Sequence, residues 1–239
     1  MKREVYDHKS KYILWKEKVG KIIPEISEVN SKIILDYLFD MENGLNVSTG
    51  NKKGARSYNR LNNLKQRMIF LSKKFKEFYG VDDITKIEER QIHDFFTGMR
   101  NGTIKRLDGR VYQSPGDYVK IFKAFWHWHQ KIHRKKGIEI YDITMDLDTS
   151  GKKPRWVYLD EKEIKKLCND AKYEYKVLIM FLFDTGIRSP SELINIKVSD
   201  FYNDFKELNI RDEISKTFGR RSKLITFSSI LSTKSKRRV

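Results

Sequence analysis

The sequence predicts a mainly α-helical protein in two parts, a four-helix unit followed by a smaller α+β unit with a β-hairpin. Three observations predict it. Apolar residues recur at intervals of three and four in four stretches between Ser27 and His133. The stretch RKKGIEIYDITMDLDTSGKKPRW then loses that period, is charged throughout and holds two glycines and a proline, as an interdomain linker does. Beyond it, short segments around Leu208–Arg211 and Leu224–Phe227 alternate or cluster like strands. On this division residues 1–26 are a basic leader, 27–134 the helical domain, 135–156 the linker and 157–239 the second domain.

In the leader, Tyr12, Ile13 and Trp15 suit one or two amphipathic turns before Pro24 interrupts. From Ser27 the series Val29, Ile33, Ile34, Tyr37, Leu38 and Met41 marks a helix that Gly44 closes. The polar loop NVSTGNKKGARS follows. Leu61, Leu64, Met68, Ile69, Leu71, Phe75 and Phe78 then mark a long helix ending at Gly80, its other face carrying Arg60, Lys65, Arg67, Lys73 and Lys74. A third helix covers Ile87–Met99, with Ile92, Phe95, Phe96 and Met99 inward. A fourth runs from Ser114 to His133, opened by Pro115, with Tyr118, Ile121, Phe122 and Phe125 inward.

In the second domain Asp160 is placed to cap a helix through Cys168, and YEYKVLIMFLF from Tyr173 to Phe183 is apolar nearly all round, as a central core helix is. Between the two strand-like segments lies SKTFGRRSK, whose cations and Gly219 fit a hairpin turn.

Lysine and arginine number 49 against 32 acidic residues, a formal charge of +17. Such an excess suits a polyanion: cations on a nucleic-acid backbone release condensed counterions, and binding is then steeply salt-dependent. The single cysteine, Cys168, excludes an internal disulfide and a cysteine-based zinc site, and its apolar helical setting suits a small buried hydrophobe. No apolar run reaches membrane-spanning length and the start lacks a signal-peptide core, so a cytoplasmic, non-membrane protein is expected.

The segment TGIRSPSELINIKVSDF, residues 185–201, resembles the first catalytic box of the tyrosine recombinases (phage integrases), threonine-glycine-hydrophobe-arginine followed by glutamate and leucine. The apolar helix before it, Asp200 after it and SKT at Ser215–Thr217 stand in the same order as in that family. FKAFWHWHQ, closing the fourth helix, is similar to the end of its core-binding domain in archaeal and phage members. The resemblance implies a helical SAM-like core-binding domain followed by a partial α+β catalytic domain, and duplex DNA as partner. It implies no metal or nucleotide cofactor.

By that resemblance Arg188 contacts the scissile phosphate, a task suited to a planar, permanently charged fork. Glu192 orients that arginine, although SPS separates the two by one residue more than the commonest spacing. Lys216, in the hairpin, matches the lysine that helps protonate the leaving 5′ hydroxyl, with Arg220, Arg221 and Lys223 nearby as alternatives. The family's His-x-x-Arg pair and nucleophilic tyrosine have no counterpart: the histidines are His8, His93, His127, His129 and His133, and no tyrosine follows Tyr202. The expectation is an integrase portion, truncated before its nucleophile, monomeric when free, that binds DNA but cannot complete strand exchange alone. It predicts a buried Arg188 near Lys216.

Two other readings compete. One is a regulatory or architectural DNA binder derived from an integrase. The other is an RNA-binding helical protein, against which the aromatics stand at core periodicity instead of on an open platform. Candidate phosphate contacts are Arg56, Arg60, Lys65, Arg106, Arg110, Lys120 and Lys123, chosen from helix starts and basic faces. His129 and His133 stand four apart beside His127, a spacing open to a metal, but no zincin glutamate lies between them and no metal site is expected.

Overall fold

The computed structural model describes residues 6–47, 53–151, 156–216 and 218–225. The chain divides between Pro154 and Arg155 into two compact units. Among the described residues it is mainly helical, with one small antiparallel sheet.

Among the described residues the first unit, residues 7–154, holds five α-helices: α1 (His8–Val19), α2 (Glu28–Asn43), α3 (Tyr58–Tyr79), α4 (Glu89–Asn101) and α5 (Pro115–Arg134). Their ends are set by local chemistry. Ser27 and Ser57 accept the third backbone N–H of α2 and α3, and Gly44, Gly80 and Gly102 take the left-handed conformation that closes α2, α3 and α4. Tyr37, Leu64, Met68, Phe75, Phe95, Phe122 and Phe125 are wholly enclosed at the centre. Phe75 meets Phe95 and Phe122 edge-on at 5.1 and 5.7 Å, and Tyr37 meets Phe125 at 5.4 Å.

Most of the leader, from Asp7, and most of the linker join this unit, contrary to the division the sequence suggested. Tyr12 of α1 is buried and Asn62 of α3 donates to the His8 carbonyl at 2.8 Å. After α5 the chain returns over it: Trp126 Nε1 donates to the Tyr141 carbonyl at 3.0 Å, His127 Nε2 lies 3.0 Å from Asp142, and Leu147 enters the core. Sparse apolar residues in a charged stretch show no period, yet Ile140, Ile143 and Leu147 pack into or against the core. Val29 and Phe78, read as inward, are about half exposed near the ends of their helices.

The second unit contains α6 (Glu161–Asp170), α7 (Tyr173–Thr185) and a three-stranded antiparallel sheet ordered β1 (Phe201–Tyr202), β2 (Glu207–Ile210), β3 (Arg220–Lys223). Asp160 and Glu163 form a reciprocal cap at the start of α6, and Cys168 is buried on it. A core of Phe181, Ile187, Leu208, Ile210, Ile214 and Leu224 joins α7 to the sheet.

Two expectations are corrected here. The second strand is not Leu224–Phe227 but the cationic Arg220–Lys223; Leu224 follows it, and residues 226–227 lie outside the described residues. The strand was hidden because its inward positions, Arg220 and Ser222, are held by hydrogen bonds instead of by apolar contact. And α7, for all its apolar sequence, buries only Phe181 and Thr185, while Leu178 and Phe183 remain exposed. Helix α6 and strand β3 pack on it.

Candidate functional site

The turn after α7 is built around carbonyls that a helix C-terminus leaves without intrahelical partners. Gly186 takes φ 56°, ending α7 through its N–H to the Leu182 carbonyl. The carbonyls of Thr185 and Gly186 are then met from β3: Ser222 Oγ donates to the first at 3.2 Å and an Arg220 Nη2 hydrogen to the second at 3.2 Å. Residues opposite Leu208 and Ile210 in the ladder thus pin the sheet to the turn that presents Arg188.

Glu192 is the centre of the arrangement, its side chain completely enclosed. Its Oε2 accepts the Arg188 backbone N–H at 3.0 Å and Arg220 Nη2 at 2.8 Å, and its Oε1 accepts Ser215 Oγ at 3.2 Å. The Glu192 N–H in turn donates to the Arg188 carbonyl at 2.9 Å, so the two residues are bonded in both directions across the cis Ser189–Pro190 peptide. The additional residue in SPS therefore does not carry Glu192 away from Arg188. Burial pushes the Glu192 carboxyl up, but the hydrogen bonds from Arg220 and the Arg188 amide, the charge of Arg220 and the Ser215 hydroxyl outweigh it and hold the pKa at about 2.

Arg188 itself is not buried, contrary to expectation. Its side chain is 47% exposed and Nη1 lies 3.7 Å from Glu192 Oε1, at the outer limit of an ion pair. The backbone is fixed and the guanidinium stays open, because Arg220 is the cation that takes the buried carboxylate at short range. Lys216, next to Ser215 in the β2–β3 connection, is exposed. Farther back, Arg211 Nε reaches Asp200 at 2.8 Å and its Nη2 donates to the Asn195 carbonyl at 2.8 Å, tying the end of β2 to the turns after Glu192. The sequence reading named Arg220 only as a neighbour of Lys216; the signal that could have found it is a cation in strand register with two buried apolar residues.

The candidate phosphate contacts of the first unit separate into groups. Arg60, Arg106, Arg110 and Lys120 are exposed, and Arg106 is paired with Asp108 at 3.4 Å. Arg56 is half-buried, and Lys123 donates to the Met145 carbonyl at 3.1 Å. Lys65 is a correction: it is 9% exposed, bonded to Asn62 Oδ1 at 3.0 Å, with Nζ 4.7 Å from the centre of the Trp15 ring. Helix α1, placed outside the domain by the sequence reading, covers it. Desolvation lowers its pKa, so it is poorly placed to meet a phosphate.

His129 is enclosed against Phe125 and Trp126, and His133 Nδ1 lies 2.9 Å from the His129 carbonyl. Among the described residues no group of three or more histidine, cysteine or carboxylate side chains is placed to hold a metal, and no helix is long and apolar enough to cross a membrane.

Among solved structures the chain is similar to one described as the crystal structure of XerA recombinase, with 18% identity and a TM-score of 0.28, over 87% of this chain and 65% of that one. The chain thus spans somewhat less than two thirds of the length of that recombinase. A likeness at this score transfers no residue's role. No protein-family model matches the sequence, and no curated protein does.

Proposed function

We propose that this chain binds duplex DNA as the N-terminal and partial catalytic portion of a site-specific tyrosine recombinase, with Arg188 holding a backbone phosphate. The observation that carries the reading is the buried Glu192, bonded to the backbone of Arg188 and to the side chain of Arg220, which leaves one guanidinium open on a fixed turn. Such a group meets a phosphate with two parallel N–H donors and little reorganisation. Lys216 follows a residue bonded to the same carboxylate, which brings an ammonium to the same connection for protonating a leaving oxygen. The formal charge of +17 supplies the sequence-independent attraction, with Arg56, Arg60, Arg106, Arg110, Lys120 and Lys123 as phosphate contacts of the first unit. In this division of labour the first unit is the DNA-binding domain and the second carries the phosphate site.

No tyrosine follows Tyr202 in the sequence and no histidine follows His133. A 3′ phosphotyrosyl intermediate of the family type would need its nucleophile from residues other than these. The test pairs salt-dependent binding to duplex DNA with covalent trapping on a nicked suicide duplex, for the chain and for Arg188→Ala. The expected result is binding that falls steeply with salt, weakened by Arg188→Ala, with no adduct. An adduct overturns the missing-nucleophile reading, and binding indifferent to salt and to Arg188 overturns the phosphate site.

A further inference from the structure

Between α4 and α5 the chain makes a hairpin that the phosphate site does not use. Lys105 and Val111 form an antiparallel bridge, the Arg106 N–H donates to the Arg110 carbonyl at 2.9 Å, and Gly109, at φ 74°, donates to the Arg106 carbonyl at 2.9 Å. Both feet are anchored. Ile104 is buried against Gly98, where an added Cβ would come within 2.9 Å of its side chain, and Val111 lies equally close to Gly102. Tyr112 packs edge-on against Phe70 and Tyr118, each at 5.9 Å.

The tip is bare. Leu107 is 104% exposed, with Lys105, Arg106 and Arg110 around it and exposed as well. A single exposed leucine on a surface needs no account. Here the leucine is held at the apex of a braced turn among three cations. The one carboxylate at the tip, Asp108, is already engaged: Oδ1 accepts the Arg110 N–H at 3.1 Å and Oδ2 lies 3.4 Å from Arg106 Nη2.

We propose that this hairpin enters the minor groove of duplex DNA, with Leu107 pressing as a wedge between base steps and Lys105 and Arg110 on the flanking phosphates; the inference rests on the DNA-binding reading above. The minor groove, roughly 6 Å wide, excludes a helix but admits the side chains of a tight turn. An apolar wedge with basic flanks is what unstacks and kinks a duplex from that side. One leucine is too little apolar surface for a lipid interface, which wants a whole helical face.

The test uses the full chain and random-sequence duplexes carrying 2-aminopurine, with distamycin as a minor-groove competitor. Binding by the wild type should raise 2-aminopurine fluorescence as bases unstack and should be displaced by distamycin. Leu107→Ala should abolish the fluorescence rise and weaken binding about tenfold, the scale of one buried leucine. Lys105→Gln with Arg110→Gln should lower the salt dependence. Leu107 makes no packing contact to lose, and an unchanged thermal melt of Leu107→Ala serves as the folding control. Salt-dependent binding that neither Leu107→Ala nor distamycin alters overturns the wedge and leaves the DNA-binding reading standing. A wild-type chain that binds no duplex overturns both. Leu107-dependent binding to phosphatidylglycerol vesicles without duplex binding overturns the wedge in favour of a lipid surface.

Discussion

Arg220 Nη2 lies 2.8 Å from Oε2 of Glu192, a carboxylate with no solvent exposure at all. A strand residue in the cationic stretch after Lys216 is thereby the principal counter-charge of the residue that fixes the Arg188 turn. An enclosed carboxylate without a partner is costly, whereas a paired and fully hydrogen-bonded one is tolerated. Arg220→Ala should therefore destabilise the second unit by about 3 kcal/mol, with Arg220→Lys recovering part of it, as read by chemical denaturation. Equal stability of wild type and Arg220→Ala would mean the carboxylate is satisfied by other means.

The same pair sets an acid limb. The Glu192 pKa is held at about 2 in the folded protein, below its ordinary value of 4.5, so folding favours the ionised form. Its stabilising contribution is present above the ordinary value and is lost as pH falls from about 4.5 towards 2. Glu192→Gln should flatten that part of the stability–pH curve. A curve of unchanged shape in the variant would assign the acid limb to other carboxylates.

Arg188 should behave in the opposite way to Arg220. Its side chain is nearly half exposed and its ion pair is long, so Arg188→Ala should change stability by less than about 1 kcal/mol. On DNA the same substitution should reduce the slope of log affinity against log salt by about 0.9, the signature of one lost phosphate contact. Binding isotherms across a salt series measure both the loss and the slope. A large loss of stability with no change of slope would make Arg188 a structural residue.

Helix ends were legible because they follow from single residues with fixed conformational preferences. Ser27, Asp160, Gly44 and Gly80 all stand where capping chemistry puts them. The buried faces of α4 and α5 were legible from period alone, with Ile92, Phe95, Phe96, Phe122 and Phe125 all enclosed. What escaped were the places where polar groups do the packing. Arg220 and Ser222 face inward because two helix-terminal carbonyls await donors, and no pattern of hydrophobicity reports that. At the site, the TGIR turn and Glu192 were singled out by the resemblance of residues 185–201 to a recombinase box, while Arg220, which pairs with the Glu192 carboxylate, lies 28 positions on from it.

Lys65 escaped for a related reason, since its burial depends on α1, more than forty residues earlier in the chain. The ammonium lies 4.7 Å from the centre of the Trp15 ring and donates to Asn62 Oδ1. Lys65→Met should leave both DNA affinity and its salt slope unchanged, because no phosphate reaches the enclosed ammonium. Arg60→Gln, at an exposed position on the same helix, should lower the slope. Parallel salt titrations of the two variants decide it; a lower slope for Lys65→Met would mean that α1 lifts away when DNA binds.

His129 gives the first unit a pH dependence of its own, at milder pH than that of Glu192. Burial, chiefly, and the neighbouring His133 lower its pKa to about 4, from an ordinary 6.5. The folded protein thus disfavours the charged imidazole, which stacks on Phe125 and lies tilted against Trp126, neither of which offers it an acceptor. Because the folded value lies below the unfolded one, the unfolded chain binds the proton first, and stability falls as pH drops from about 6.5 towards 4. The loss across that window is on the order of 3 kcal/mol, and His129→Leu, which fills similar volume without titrating, should remove most of it. Thermal melts of wild type and variant at a series of pH values measure the difference directly. Curves that stay parallel from neutral pH to 4 would place the titrating group elsewhere.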